Sequence, residues 1–191
     1  MNSSFEDTTS SRRGLVALIG LGLTLAAGPA AAEIDAEAQR VVRSMADYLG
    51  GLSALSVQAD VDNEVIDLAG QKLQLTSSVE LLLQRPNKLW LHRQGPFADA
   101  ELTFDGKQIS LLGKQINAYA QIEAPGNIDT AIETVRSDVG LDAPGADLLF
   151  ADPYPALTEE ANIGSYRGTA FVNGVECDYL TFRGEKVDWQ L

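Results

Sequence analysis

Residues 85–113, RPNKLWLHRQGPFADAELTFDGKQISLLG, hold three alternating apolar runs and two turn signals without a break. Leu89 and Leu91 share one face of a pleat, Leu102 and Phe104 one face of the next strand, and Ile109 and Leu111 one face of the third. Gly95-Pro96 punctuates the first junction. Asp105-Gly106 makes the second a tight hairpin in which glycine takes the positive φ. The pattern predicts an antiparallel meander. Ahead of it Leu73, Leu75, Val79, Leu81 and Leu83 alternate with Lys72, Gln74, Thr76, Ser78 and Glu80, a half-buried strand with its odd positions inward. Pro86 stops that strand and Asn87 turns it.

A chain of 191 residues, 45% hydrophobic, has material for one core once a leader is set aside. Its formal charge of −13 repels phosphate backbones and anionic lipid surfaces, which argues against a nucleic-acid partner. The acidic residues never form a block, so they describe a solvated surface.

Residues 1–32 have the marks of a signal peptide. Arg12-Arg13 precede an apolar run from Gly14 to Ala27, too short to span a bilayer, and Gly28-Pro29 breaks it. Ala30-Ala31-Ala32 offers small residues for cleavage before Glu33, and no cysteine there invites a lipid anchor. The stretch Ser11 to Val16 resembles the twin-arginine export motif, with the general secretory route as the alternative. The expectation is a periplasmic protein whose mature chain, residues 33–191, is a single domain with no integral membrane segment.

The rest of the chain follows the same physical rules. Asp35 is placed to cap a helix to about Leu49, with Ala38, Val41, Val42, Met45 and Leu49 on one stripe and Gly50-Gly51 ending it. Val57, Ala59 and Val61 then alternate with Gln58, Asp60 and Asp62, and the phase change at Val65-Ile66 suggests a bulge or twist in a long, curved strand. Residues 117–122 predict another strand. Asn127 caps an amphipathic helix carrying Ile128, Ala131, Ile132 and Val135, too short to stand alone. Leu148-Leu149-Phe150 lies in a loop with one or two helical turns. Strands return around Tyr166 to Val172, turn at Asn173-Gly174, and come back through Val175, Cys177 and Tyr179.

No catalytic constellation emerges. His92 is the single histidine and lacks visible partners, which leaves it a surface or structural residue. Asp60, Asp62 and Glu64 are not a calcium loop, because Val65 stands where the turn requires glycine. Cys177, the only cysteine, rules out an internal disulfide and is expected to behave as a small buried hydrophobe, with intermolecular pairing as the alternative. No metal site, cofactor or enzymatic activity is expected.

Gln84-Arg85-Pro86-Asn87-Lys88-Leu89 followed by Phe104-Asp105-Gly106-Lys107-Gln108-Ile109 resembles the RPN strand and DGK hairpin of the LolA-like periplasmic lipoprotein carriers. More widely, the Asp35 helix, residues 117–125, Pro144 to Leu149, Asp152-Pro153-Tyr154 and Gly174 to Asp178 resemble a family of predicted periplasmic proteins called domain of unknown function 2092. These resemblances imply an α+β fold: a strongly curved antiparallel sheet, an incomplete barrel, with an N-terminal helix and lid helices on its concave face. They also imply further strands after Trp189-Gln190, so that the chain is expected to be shortened at its C-terminus. In the carriers the RPN arginine bonds to the lid, and the matching position is Arg85; the alternative is a strand-end arginine paired with a nearby carboxylate.

Two function classes follow. The first is a carrier or binding module for an apolar small molecule, lipid, acyl chain or lipoprotein, with Leu75, Val79, Leu81, Leu89, Leu91, Leu102 and Phe104 as its wall. Residues 128–135 with Leu148, Leu149 and Phe150 would form the lid. The second is a structural or protein-interaction module of the envelope with a filled core. Aliphatic alternation serves both.

Overall fold

A computed structural model describes residues 33–96, 98–139 and 145–191. The leader with its arginine pair, and Pro144 of the Pro144-Gly145 turn, lie outside the described residues.

The described part of the chain from Ala32 onward is one α+β unit with two antiparallel sheets. The first follows chain order through β1 (Ala54–Ile66), β2 (Lys72–Gln84), β3 (Lys88–Gly95), β4 (Ala98–Phe104), β5 (Gln108–Gly113) and β6 (Ala118–Glu123). The predicted meander is its middle. The sheet stays open, with β1 and β6 as edges and Asp60, Asp62 and Glu64 on the outward side of β1, charges that discourage pairing with another chain. Pairing of β1 with β2 runs without interruption from Ala54–Gln84 to Ile66–Lys72, so of the bulge or twist expected at Val65-Ile66 the bulge is absent. Ile66 is simply exposed at the strand end.

The second sheet holds β7 (Ala161–Val172), β8 (Val175–Gly184) and β9 (Asp188–Gln190). Between the sheets come α2 (Ile128–Thr134), a π-helical turn (Val135–Val139), a 3-10 turn (Ala146–Leu149) and α3 (Pro153–Thr158). This helical passage replaces the single sheet expected from the sequence with two. Asn173 and Gly174 both take positive φ, as a two-residue hairpin turn requires. The buried residues of β8 are Leu180 and Phe182, the set opposite to Val175, Cys177 and Tyr179. A register shift between Tyr166 and Thr169, where Gly168 has positive φ, changes the phase along β7. Cys177 is therefore only half-buried.

Each sheet has its own core. On the first, Leu81, Leu83, Leu89, Phe104 and Ile109 pack under Ile128, Ala131 and Ile132 of α2. On the second, Leu180 and Phe182 pack under Ala38 and Val42 of α1 (Ala36–Gly51) and Leu157 of α3, and Trp189 stacks on Phe182 with ring centroids 5.5 Å apart. Helix α1 thus covers the three-stranded sheet, not the six-stranded face to which the sequence assigned it. Its buried stripe is Ala38, Val42 and Ala46; Val41, Met45 and Leu49 are half-buried at its flank.

Two local devices fix α1. The Asp35 carboxylate accepts from Ala38 N–H at 2.7 Å and, through its other oxygen, from Tyr166 N–H at 2.9 Å, so one side chain caps the helix and ties it to β7. Ile34 bridges Gly164, where a Cβ would lie 2.7 Å from Ile34 Cγ2 and 2.8 Å from the Phe182 ring. Gly164→Ala is expected to lose about 2 kcal/mol through overpacking, read as a lower denaturant midpoint at unchanged slope. The helix does not stop at Gly50-Gly51 but runs through them to the extended cap Leu52. Gly50 serves close approach, since any Cβ there would collide with the Ala151 carbonyl.

Candidate functional site

The register of the six strands sorts their side chains by face. Cross-strand rows on the inner side read Leu55, Leu83, Leu89, Phe104, Ile109, Ile122, then Val57, Leu81, Leu91, Leu102, Leu111, Ala120, then Ala59, Val79, Arg93, Ala100, Gly113, Ala118. Every Asp and Glu on these strands falls on the other side: Asp60, Asp62, Glu64, Glu80, Asp99, Glu101 and Glu123. In a chain of charge −13, one face of the sheet bears no carboxylate.

All seven wall residues predicted from the sequence lie on this inner face. Leu81, Leu89 and Phe104 are buried beneath α2. Leu91 and Leu102 are half-buried and pack against that core, whereas Leu75 and Val79, also half-buried, do not belong to it. On β1, Val57 remains 37% exposed and Ala59 is exposed. Among the described residues, the helices therefore cover one end of the apolar face and leave the other uncovered. A hollow of about 630 Å³ touches Leu89 and Phe104 of the predicted wall, but its exposed lining, Ala54, Ser56, Leu82, Gln84 and Lys88, belongs to the outward set.

The cover is braced by polar contacts. Asn127 caps α2, accepting from Thr130 N–H at 2.9 Å, and Ile128 N–H donates to the Pro86 carbonyl at 2.9 Å. Arg136, in the π-helical turn, donates to Asp147 at 2.7 Å and lies over the Phe150 ring; that bond raises the guanidinium's pKa above its usual value. Asp129 accepts from Ala151 N–H at 3.0 Å. These contacts join α2 to the segment 146–151. Of its apolar residues, Leu149 and Phe150 pack on the six-stranded sheet. Leu148, assigned to the same lid from sequence, packs in the other core.

Arg85 stands at the centre of this cover, just past the end of β2. Its guanidinium donates to four carbonyls: Leu149 at 3.0 Å, Phe150 at 3.0 Å, Leu52 at 3.2 Å and Leu49 at 3.4 Å. No carboxylate among the described residues lies within 4.0 Å of it. Two of the acceptors close the C-terminus of α1, where orphan carbonyls and the helix dipole favour a cation. The other two belong to the segment over the sheet. One side chain thus links β2, α1 and the cover.

The two motifs that carry the carrier resemblance meet in space. The Asn87 side chain lies against Gly106, where any Cβ would collide with it, and Lys88 Nζ donates to the Asp105 carbonyl at 2.7 Å. The Asp105 carboxylate accepts from the backbone N–H groups of Gln108 and Lys107, and these bonds hold its pKa below the ordinary value.

His92 faces outward and bonds Asp99 at 2.9 Å, beside Lys114 and Glu101, a charged cluster on the solvent side. The sequence reading passed over Arg93. Its position in phase with Leu89 and Leu91 was the available signal.

No curated protein matches the chain. The family model described as predicted periplasmic protein (DUF2092) matches residues 38–191, from the first buried residue of α1 through both sheets. With a match over that span, the chain belongs to the DUF2092 family of predicted periplasmic proteins, whose function is unknown.

Proposed function

We propose that this periplasmic protein is a non-catalytic binder or carrier of an apolar ligand: a lipid, an acyl chain or the acyl part of a lipoprotein. The ligand would lie on the inner face of the six-stranded sheet, with α2 and residues 146–151 as the lid and Arg85 as its latch. In this reading the sheet curves as an incomplete barrel, like those of the LolA-like carriers. The observation that carries the proposal is the half-covered face, where buried Leu83, Leu89, Phe104 and Ile109 give way to half-exposed or exposed Leu75, Val79, Leu91, Leu102, Val57 and Ala59. A concave, mainly apolar surface with few polar groups is the usual make-up of a lipid site.

A second reading has a supporting observation too. Ile128, Ala131 and Ile132 are already buried over the covered end, as residues of an ordinary core are. A protein-interaction module with a filled core would have this feature. The readings part on ligand binding. An environment-sensitive apolar dye is expected to bind the purified protein one to one and to be displaced by an acyl chain. Val79→Trp, which fills the open end, is expected to abolish binding with the melting transition retained. A folded wild type without saturable dye binding favours the interaction module.

A further inference from the structure

Arg93 occupies an unusual place. It is the only charged side chain in the inner rows of the six strands, and β3 is flanked by β2 and β4, so the charge does not protect a sheet edge. Its cross-strand partners are Val79 and Ala100, and the same row continues to Gly113 and Ala118. Its neighbours along that row thus carry small side chains. One terminal nitrogen donates to Ser77 Oγ at 3.3 Å. Ser77 is itself only 5% exposed. The Nε group is buried and has no partner among the described residues. Arg40, Arg43, Arg136 and Arg183 each have a carboxylate within 4.0 Å, whereas Arg93 has none among the described residues. A half-buried arginine with a buried, unpartnered Nε and no counter-ion among the described residues, on a face stripped of carboxylates, is set up to accept an anion.

Resting on the carrier reading, we propose that the ligand is a long-chain fatty acid whose carboxylate pairs with Arg93 and Ser77. Its tail would run over Leu91 and Leu102 toward the lid. The row order is that of an amphiphile: large aliphatics under α2, leucines next, and a cation among small residues beyond. A planar carboxylate matches the guanidinium fork, and its charge is satisfied where no competing acid shares the face. A neutral head group would leave the guanidinium unpaired.

The test compares oleate with oleyl alcohol, equal in chain length and double bond, by titration of the full mature protein at neutral pH below their aggregation limits. Wild type is expected to bind oleate about tenfold more tightly, equivalent to about 1.4 kcal/mol. Arg93→Gln is expected to erase that preference by weakening oleate while leaving the alcohol within about twofold, and Arg93→Lys to restore part of it. Equal affinity of wild type for both ligands, or equal weakening of both by Arg93→Gln, overturns the proposal while the carrier reading stands. Failure of folded wild type to bind either overturns the carrier reading and the proposal together. Should Arg93→Gln not fold, the wild-type preference and its decline with added salt decide the question.

Discussion

Arg85→Ala is expected to lower unfolding stability by about 3 kcal/mol, because it leaves partly buried carbonyls of α1 and of the 146–151 segment without their charged donor. The effect should also be local. Amide exchange at Leu148, Phe150 and Ala151 should accelerate more than exchange in β2 and β3, since the guanidinium is what ties that segment to the strand. Arg85→Lys should recover part of the loss, an ammonium being too compact to reach four carbonyls arrayed about a planar fork. A change of under about 0.5 kcal/mol for the alanine variant, with uniform exchange, would remove Arg85 from its latch role.

Leu81→Asp should be more damaging still. Leu81 is 5% exposed, pairs across the sheet with Val57 and Leu91, and packs in the core beneath α2. An unpaired carboxylate there should cost about 4 kcal/mol or more, enough to leave much of the protein unfolded. The adjacent Glu80→Lys, on the outward face beside His92, should stay within about 0.5 kcal/mol of wild type. Urea unfolding of the pair checks the register. Comparable tolerance at the two positions would refute the assignment of faces.

The strands were legible because a sheet with one buried face must alternate, and a slip of one residue would invert every side chain. Hence Leu73 to Leu83, the Asp105-Gly106 turn and the Asn173-Gly174 turn are found where the sequence placed them. The caps Asp35 and Asn127 were legible for the same local reason, a short polar side chain ahead of a helical stripe. What the alternation does not encode is which surface a helix covers. Helix α1 is amphipathic whichever sheet it lies on, and contacts across more than a hundred residues, among them the Ile34–Gly164 bridge, the Asp35–Tyr166 bond and the packing of Ala38 and Val42 on Leu180 and Phe182, commit it to the three-stranded sheet.

The same limit applies within the cover. Leu148 and Leu149 are neighbours of equal hydrophobicity, yet the 3-10 turn sends them into different cores. The sequence supplies no reason to separate them. Arg85 stood out in the sequence, but its acceptors are backbone carbonyls from residues 49, 52, 149 and 150, which any side chains would provide. Arg93 is the opposite case. Its phase was visible, and its charge kept it out of a wall read as purely apolar.

Native mass spectrometry of the protein extracted from the periplasm measures the occupancy of the inner face directly. A carrier or binder should leave the cell with a stoichiometric apolar passenger, seen as a discrete added mass in the range of a fatty acid or larger lipid. That mass should be lost on organic extraction and absent from Val79→Trp. A folded protein that travels only at its own mass, and acquires no added mass when incubated with lipid extract, would contradict the account.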